Sequence, residues 1–373
     1  MNFNIKKSEI VNVLSKIQGL TSRKSSLNIT TSVLIQSYES GVKLFATDLE
    51  TGFEGTYSAE VSEEGKIALN AKKLYEIIRD FPSEDILINE VENHWIEISN
   101  QTVEYRIVGM DPEDFPLFPQ IENIPFFSIE SRALKRMIEN TVIVTAPGDE
   151  KRIHILGIYF EIINNADERM VRLVSTDGNR LAKADFKLDE KNELPEEKGF
   201  IIPKKGLTEL NKFIDSDKTV EIGFKDNHFI LKKERETSII RLLEGEYPKY
   251  REILNVKGQG NIVKMNKEQF SWMLRRMSIL SSEDYKGVIF NFYQDRLLIN
   301  STNPEIGESK EDMIINFKGD KMEAVFNPKY FIDSLNCIEE ETVELNIISE
   351  ESPCFIEGEK DKSYLCVIMP MRV

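Results

Sequence analysis

Three times along the 373-residue chain, a short extended run passes into an amphipathic helix, continues through strand-like stretches, meets a second helix and ends in alternating strands. The openings are FNIKKSEIVNVLSKI from Phe3, FFSIESRALKRMI from Phe126 and IVKMNKEQFSWMLRRMSIL from Ile262. The interval, about 130 residues on average, is too long for a solenoid repeat and suits a duplicated domain. The second helices are read in ALNAKKLYEIIRDF, FIIPKKGLTELNKFI and AVFNPKYFIDSLNCI. Asn70 and Asn327 are placed as N-caps, and Pro203 and Pro328 in first turns. Paired strands follow, as in TVEIGFKDNHFILKK, whose turn falls at Asp226-Asn227.

The helices share one apolar spacing, 0, 3, 4 and 7, which buries one stripe of each. It runs through Ile10, Val13, Leu14 and Ile17; Leu74, Ile77, Ile78 and Phe81; Leu134, Met137, Ile138 and Thr141; Leu207, Leu210, Asn211 and Ile214; Phe270, Met273, Leu274 and Met277; and Phe331, Ser334, Leu335 and Ile338. Charge follows the same division. The chain carries a net −16, yet windows 6–17, 70–81, 130–141, 203–214, 266–277 and 327–338 hold 16 Lys and Arg against 8 Asp and Glu. The helices therefore carry +8 and the rest −24. Each helix alone could be an ordinary solvated face. Six that sum to +8, five of them positive and the last neutral, would line a surface that attracts phosphates in so acidic a chain, while the remainder repels them.

Composition narrows the class further. Hydrophobic residues at 40% and charged residues at 30% describe a globular chain with enough material for several cores. Apolar runs such as VIVTA at 142–146 are far short of the roughly 20 residues of a membrane helix. The start, MNFNIKKSEI, has no signal-like stretch, so a cytoplasmic location is expected. Cys337, Cys354 and Cys366 are odd in number and lack paired spacing, which suits reduced packing residues. His94, His154 and His228 are scattered singly, so no metal is expected. No phosphate loop, nucleophile elbow, HExxH or GxGxxG is present, so neither a cofactor nor an enzymatic activity is expected.

Several longer words carry a resemblance: LFATDLETGF (44–53), DFPLFP (114–119), LVSTDGNRLA (173–182), EYPKYREIL (246–254), RRMSILSSEDYKGV (275–288) and the terminal VIMPMRV. In this order the chain resembles the bacterial sliding clamp, the beta subunit of the replicative DNA polymerase III holoenzyme, over its whole length. It departs from the pattern in NITT at 28–31, in Asn179 for a common histidine and in Val373 for a common leucine. The resemblance implies an α+β chain of three clamp domains, at 1–121, 122–255 and 256–373, each with two helices packed on antiparallel sheet. It also implies a head-to-tail dimer forming a ring around duplex DNA, with Tyr105 and Ile107 meeting Ile279 and Leu280 across the interface.

A cleft for short linear motifs of the polymerase, the clamp loader and repair proteins is implied as well. Matching positions are Ile155, Thr176, Gly178, Arg180, Leu181, Pro248, Ile253, Val367, Ile368, Met369, Pro370, Met371 and Arg372. Methionine repacks around different guests, which suits a shared pocket. Read alone, CVIMPMRV is also an edge strand, half of whose residues, Cys366 and Ile368 among them, face inward, and STDGNRLA is also a hairpin turn. The resemblance places Arg23, Lys24, Arg152 and His154 at DNA. The charge count adds Lys72, Lys73, Arg79, Arg132, Lys135, Arg136, Lys204, Lys205, Lys212, Arg275 and Arg276. Such contacts hold a duplex without reading sequence. An acidic dimeric scaffold that binds peptides and never encircles DNA is the alternative, and the basic helices speak against it.

Overall fold

A computed structural model describes residues 1–21, 28–116, 118–119, 124–146, 151–165, 168–189, 194–215, 218–280 and 286–371. The first repeat runs β1 (Asn2–Lys6), α1 (Lys7–Lys16), α2 (Gln18–Thr21), β2 (Ser32–Tyr38), β3 (Gly41–Thr47), β4 (Thr51–Glu63), β5 (Gly65–Asn70), α3 (Ala71–Asp80), β6 (Asp85–Glu90), β7 (Trp95–Ser99) and β8 (Glu104–Val108). The second runs β9 (Phe126–Glu130), α4 (Ser131–Val142), β10 (Gly157–Asn164), β11 (Arg169–Thr176), β12 (Arg180–Lys187), β13 (Lys198–Pro203), α5 (Lys204–Asn211), β14 (Thr219–Lys225), β15 (His228–Lys233) and β16 (Glu236–Arg241), followed by the short α6 (Tyr250–Leu254). The third runs β17 (Asn261–Asn266), α7 (Lys267–Met277), β18 (Val288–Phe292), β19 (Arg296–Asn303), β20 (Gly307–Ile314), β21 (Met322–Phe326), α8 (Pro328–Cys337), β22 (Thr342–Ile347), β23 (Cys354–Gly358) and β24 (Tyr364–Ile368). The expected order holds in every repeat, and the pair of strands expected after each second helix is a set of three.

Local chemistry starts the helices where the sequence predicts. The Asn70 side-chain oxygen accepts the Lys73 N–H at 3.0 Å, and Asn327 accepts that of Lys329 at 3.0 Å with Pro328 in the first turn. Asn266 caps α7 in the same way, accepting from Gln269 at 3.0 Å. Pro203 lies elsewhere than expected: it closes β13 opposite Gly157, one residue before α5. A proline fits there because β13 is at the edge of its sheet and no further ladder bond is lost.

The predicted stripes are the buried faces, with Ile77 and Asn211 only half-buried. Their two hydroxyls are satisfied inside the helices. Thr141 donates to the Met137 carbonyl at 2.7 Å and Ser334 to that of Tyr330 at 2.9 Å, so neither brings an unpaired polar group into the core. Cys354 and Cys366 are buried and Cys337 half-buried, and burial pushes the Cys337 thiol up to about 11 and the Cys366 thiol up to about 12.

By density of contacts the chain divides into two compact units, 1–135 with 205–242 and 136–204 with 243–373. The middle repeat gives half its strands to each. In the first unit a twelve-stranded antiparallel sheet has the path β8-β7-β6-β1-β4-β16-β15-β14-β9, with β2, β3 and β5 branching from it. The join is β4 against β16, where Phe53 pairs with Ser238. In the second unit an eight-stranded sheet runs β13-β10-β11-β12-β24-β23-β22-β17, and a four-stranded sheet runs β20-β19-β18-β21. Here the join is β12 against β24, where Leu181 pairs with Val367.

Candidate functional site

The terminal strand β24 is no edge. It lies between β12 and β23 and all five of its residues are buried. Leu365 and Val367 pack with Val174, Leu181, Tyr250 and Phe355, while Cys366 and Ile368 face the core of the third repeat. The strand alternates as expected, but both faces are covered, so the reading of CVIMPMRV as an edge strand is overturned. Beyond Ile368 the chain stays tied down: the Met369 N–H donates to the Asn179 carbonyl at 2.9 Å and that of Met371 to Val325 at 2.7 Å. Met369 and Met371 are nevertheless 37% and 39% exposed. Two methionines are thus held in place by main-chain bonds and left open to solvent.

The hairpin turn beside them is built from its own side chains. Thr176 donates its hydroxyl to the Arg180 carbonyl at 2.8 Å and accepts the Gly178 N–H at 3.1 Å. The Asp177 carboxylate accepts the N–H groups of Asn179 and Arg180, each at 3.0 Å. Gly178 has φ +91°, and a side chain there would run toward the Arg152 guanidinium, 3.4 Å from the Cβ position. Arg180 is buried with two carboxylates, Asp177 at 3.1 Å and Asp333 at 2.7 Å, and its guanidinium lies 4.4 Å from the Tyr330 ring centre. Of the predicted cleft positions, Gly178, Pro248, Ile253, Met369 and Met371 are exposed, and Thr176 and Pro370 are half-buried. Ile155, Leu181, Val367 and Ile368 are buried beneath the surface, and Arg372 lies outside the described residues.

Residue reading missed the aromatic support under this region. The Tyr247 hydroxyl donates to the Val174 carbonyl at 3.1 Å and its ring stacks on Tyr159 with centres 4.8 Å apart. Tyr250 donates to Glu161, whose carboxylate also takes Arg251 at 2.8 Å. Burial first, and the Glu161 bond second, push the Tyr250 phenol up to about 12. The two tyrosines of EYPKY were the available signal: aromatic rings flanking a proline, with hydroxyls that need partners when buried.

The basic residues of the helices fall into two classes. Lys73 pairs with Glu76 at 2.8 Å, Arg79 with Asp80 at 2.8 Å, Arg136 with Asp361 at 2.9 Å and Lys212 with Glu209 at 2.6 Å. Lys205 pairs with Asp48, and Arg276 holds Glu311 through Nε at 2.8 Å. Lys72, Arg132, Lys135 and Arg275 form no ion pair among the described residues. Lys204 and Arg152 are exposed and His154 half-buried, while Arg23 and Lys24 lie outside the described residues. Beside Arg275, Trp272 is 53% exposed on a groove of about 700 Å³ that Lys267 and Asn336 also line. The charge count could not register this indole.

β8 and β20 are among the strands that end their sheets. β8 pairs only with β7, and β20 only with β19, among the described residues. Tyr105 on β8 is 42% exposed and Ile107 half-buried. Ile279, in the one-turn helix Ser278–Leu280, is 73% exposed, and Leu280 is half-buried.

Comparison with known proteins matches all three repeats. Residues 1–119, 128–249 and 256–372 match the N-terminal, central and C-terminal domains of the DNA polymerase III beta subunit. The beta sliding clamp of Chlamydia pneumoniae is 27% identical over 373 residues, covering 100% of this chain and 99% of that protein. The DNA polymerase III subunit beta of Pseudomonas aeruginosa is similar over 100% of both chains, with a TM-score of 0.93 and 27% identity. A second structure of a Pseudomonas aeruginosa sliding clamp, bound to griselimycin, has a TM-score of 0.92 and 26% identity over 100% of both chains. With the family matched in each repeat and in order along the chain, this protein belongs to the DNA polymerase III beta subunit family, the beta sliding clamps.

Proposed function

We propose that the chain forms a head-to-tail homodimeric ring of six clamp domains, bounded at 1–121, 122–255 and 256–373 in each chain. The protein is a DNA sliding clamp of DNA polymerase III and, like its family, a processivity factor rather than an enzyme. It partners DNA and the polymerase. Ring closure is the further step, and one observation carries it. In the three repeats, β4, β12 and β20 hold the same place, as do β8, β16 and β24. β4 joins β16 and β12 joins β24, while β20 and β8 remain open. Joining β20 of one chain to β8 of another would repeat the same sheet junction and remove both edges. Tyr105 and Ile107 lie on the first of these surfaces, and Ile279 and Leu280 beside the second.

The helices would then meet DNA through Lys72, Arg132, Lys135 and Arg275, which form no ion pair among the described residues, and through Lys204, with Lys73, Arg79, Arg136, Lys205, Lys212 and Arg276 held partly or wholly by carboxylates. Arg23, Lys24, Arg152 and His154 would add contacts. Weak, sequence-blind phosphate contacts are what a sliding ring requires. Retention comes from topology. Short linear motifs of the polymerase, the clamp loader and repair proteins would dock where Gly178, Pro248, Ile253, Met369 and Met371 are exposed, above a floor of Ile155, Leu181, Val367 and Ile368, with Arg180 bracing the turn.

The test is topological. Once loaded on nicked circular DNA at moderate salt, the protein should stay bound through gel filtration and run off when the circle is linearised. Equal loss from circle and line would favour a peptide-binding scaffold that never encircles DNA.

A further inference from the structure

The turn beside the terminal methionines has a twin in the first unit. In ATDLETG, Thr47 donates its hydroxyl to the Thr51 carbonyl at 3.0 Å and accepts the Leu49 N–H at 3.0 Å. Asp48 accepts the N–H groups of Glu50 at 3.1 Å and Thr51 at 2.7 Å. These are the bonds that Thr176 and Asp177 make in STDGNRL. The neighbouring strand end is held alike: the Arg241 N–H donates to the Glu50 carbonyl at 2.8 Å, as Met369 does to Asn179. Leu49 even takes the left-handed conformation of Gly178, with φ +77°. Leucine at such a φ is strained where glycine would be free, and its side chain is 52% exposed. Strain spent on presenting an apolar side chain to solvent points to a partner.

A cavity of about 390 Å³, within the range of ligand sites, opens beside this turn. Leu49, Phe118 and Ile239 supply its apolar wall. The Phe118 ring rests against Gly52, where a Cβ would meet it at 2.7 Å, and packs edge-on to Phe45 with centres 5.7 Å apart. The other wall is polar and, among the described residues, holds one standing cation, Arg241, with His228 beside it and the exposed Glu50 at the turn. His228 and Arg241 are cross-strand partners, and the Arg241 guanidinium has no carboxylate within 4.0 Å among the described residues. Where the terminal groove offers Met369 and Met371, this one adds the Arg241 guanidinium; burial first and Arg241 second hold the His228 imidazole below its usual range, so it adds no standing charge near pH 7.

We infer that the groove between the 47–52 turn and the β15–β16 ladder is a second peptide-docking site, for an extended segment of a partner protein that carries an apolar side chain next to a carboxylate. The inference rests on reading the terminal groove as a peptide dock, and extends it to its twin with a different lining. The apolar residue would lie against Leu49, Phe118 and Ile239, and the carboxylate would meet Arg241. The terminal groove, with its exposed Met369 and Met371, and this one, with Arg241, would select different motifs, so one clamp could hold two partners at once.

The probe is the fluorescent, end-capped peptide Gly-Leu-Phe-Asp-Glu, titrated into the full chain by anisotropy, with Gly-Leu-Phe-Asn-Gln as its control. Arg241→Gln should weaken the acidic probe by about tenfold and bring it level with the control. Leu49→Gly should weaken the probe while raising Tm by roughly 2 °C or more, because it relieves the backbone. A double Met369→Ala, Met371→Ala variant should bind as the parent does. Three results would overturn the proposal: no binding up to millimolar probe, unchanged binding in both groove variants, or loss of binding in the methionine variant instead. The last would place the peptide in the terminal groove and leave that dock standing. If deleting the terminal residues leaves terminal-groove binding untouched, the underlying reading fails by itself.

Discussion

Asp185 shows what single residues contribute under the terminal strand. Its carboxylate receives Arg172 through two nitrogens, at 2.7 and 2.9 Å, and also Lys183. Burial works to raise the Asp185 carboxyl, but the Arg172 hydrogen bonds and the charges of Lys183 and Arg172 outweigh it and hold the group below the usual range. A carboxyl depressed on folding stabilises the protein above its unfolded value of about 3.9, and that stability fades as pH falls through the lower folded value. Asp185→Asn, which leaves two buried cations without an anion, should therefore cost about 2–3 kcal/mol at pH 7. The gap between the urea midpoints of parent and variant should close as pH drops below about 4. A gap that is the same at pH 7 and pH 3 would show that packing, not charge, is at stake.

Among the elements, β24 and the residues after it separate two roles that lie together in sequence. The strand ends at Ile368, and among the described residues Met369 and Met371 attach through two main-chain bonds, to Asn179 and Val325. Deleting Met369 to Val373 should leave the core intact, because the deleted residues bring no large buried side chain among those described. It should abolish docking of a clamp-binding peptide whose affinity for the parent is about micromolar, roughly 8 kcal/mol. Full affinity in the truncated protein would remove the methionines from the site. Helix caps were legible at this scale: Asn70 and Asn327 stand before periodic apolar runs, and the same sign before α7 at Asn266 was available and overlooked. Pro203 was misplaced because a proline before a helix and a proline closing an edge strand read alike until the neighbouring strand is known.

For the whole molecule, the sharpest expectation is a mass. Each chain is 43.1 kDa, and light scattering should return twice that. Ile279→Asp puts a charge on a residue that is 73% exposed in the single chain, so it should cost little folding stability. It should shift the mass toward one chain, because a buried, unpaired carboxylate in an interface is costly. A variant that stays dimeric would exclude Ile279 from the contact. The charge division belongs at this scale too: it survives in sign but is weaker than the count suggests. Lys73, Arg79, Arg136, Lys205, Lys212 and Arg276 already have carboxylate partners, so fewer counterions are released on DNA than the helices' cations would give.

What the sequence determined by itself was periodic: three repeats, six apolar stripes, the caps at Asn70 and Asn327, and an excess of cations on helices. Each is written within a dozen neighbouring residues, where helix and strand geometry decide which side chains share a face. The tertiary structure decided what distant residues do to one another. It joined Arg180 to Asp333 and Arg136 to Asp361, covered both faces of a strand that reads as an edge, and gave the turn at Asp48 the same bonds as the turn at Asp177. Burial and ion pairing depend on which segments meet, and that is settled only when sheets from different repeats join.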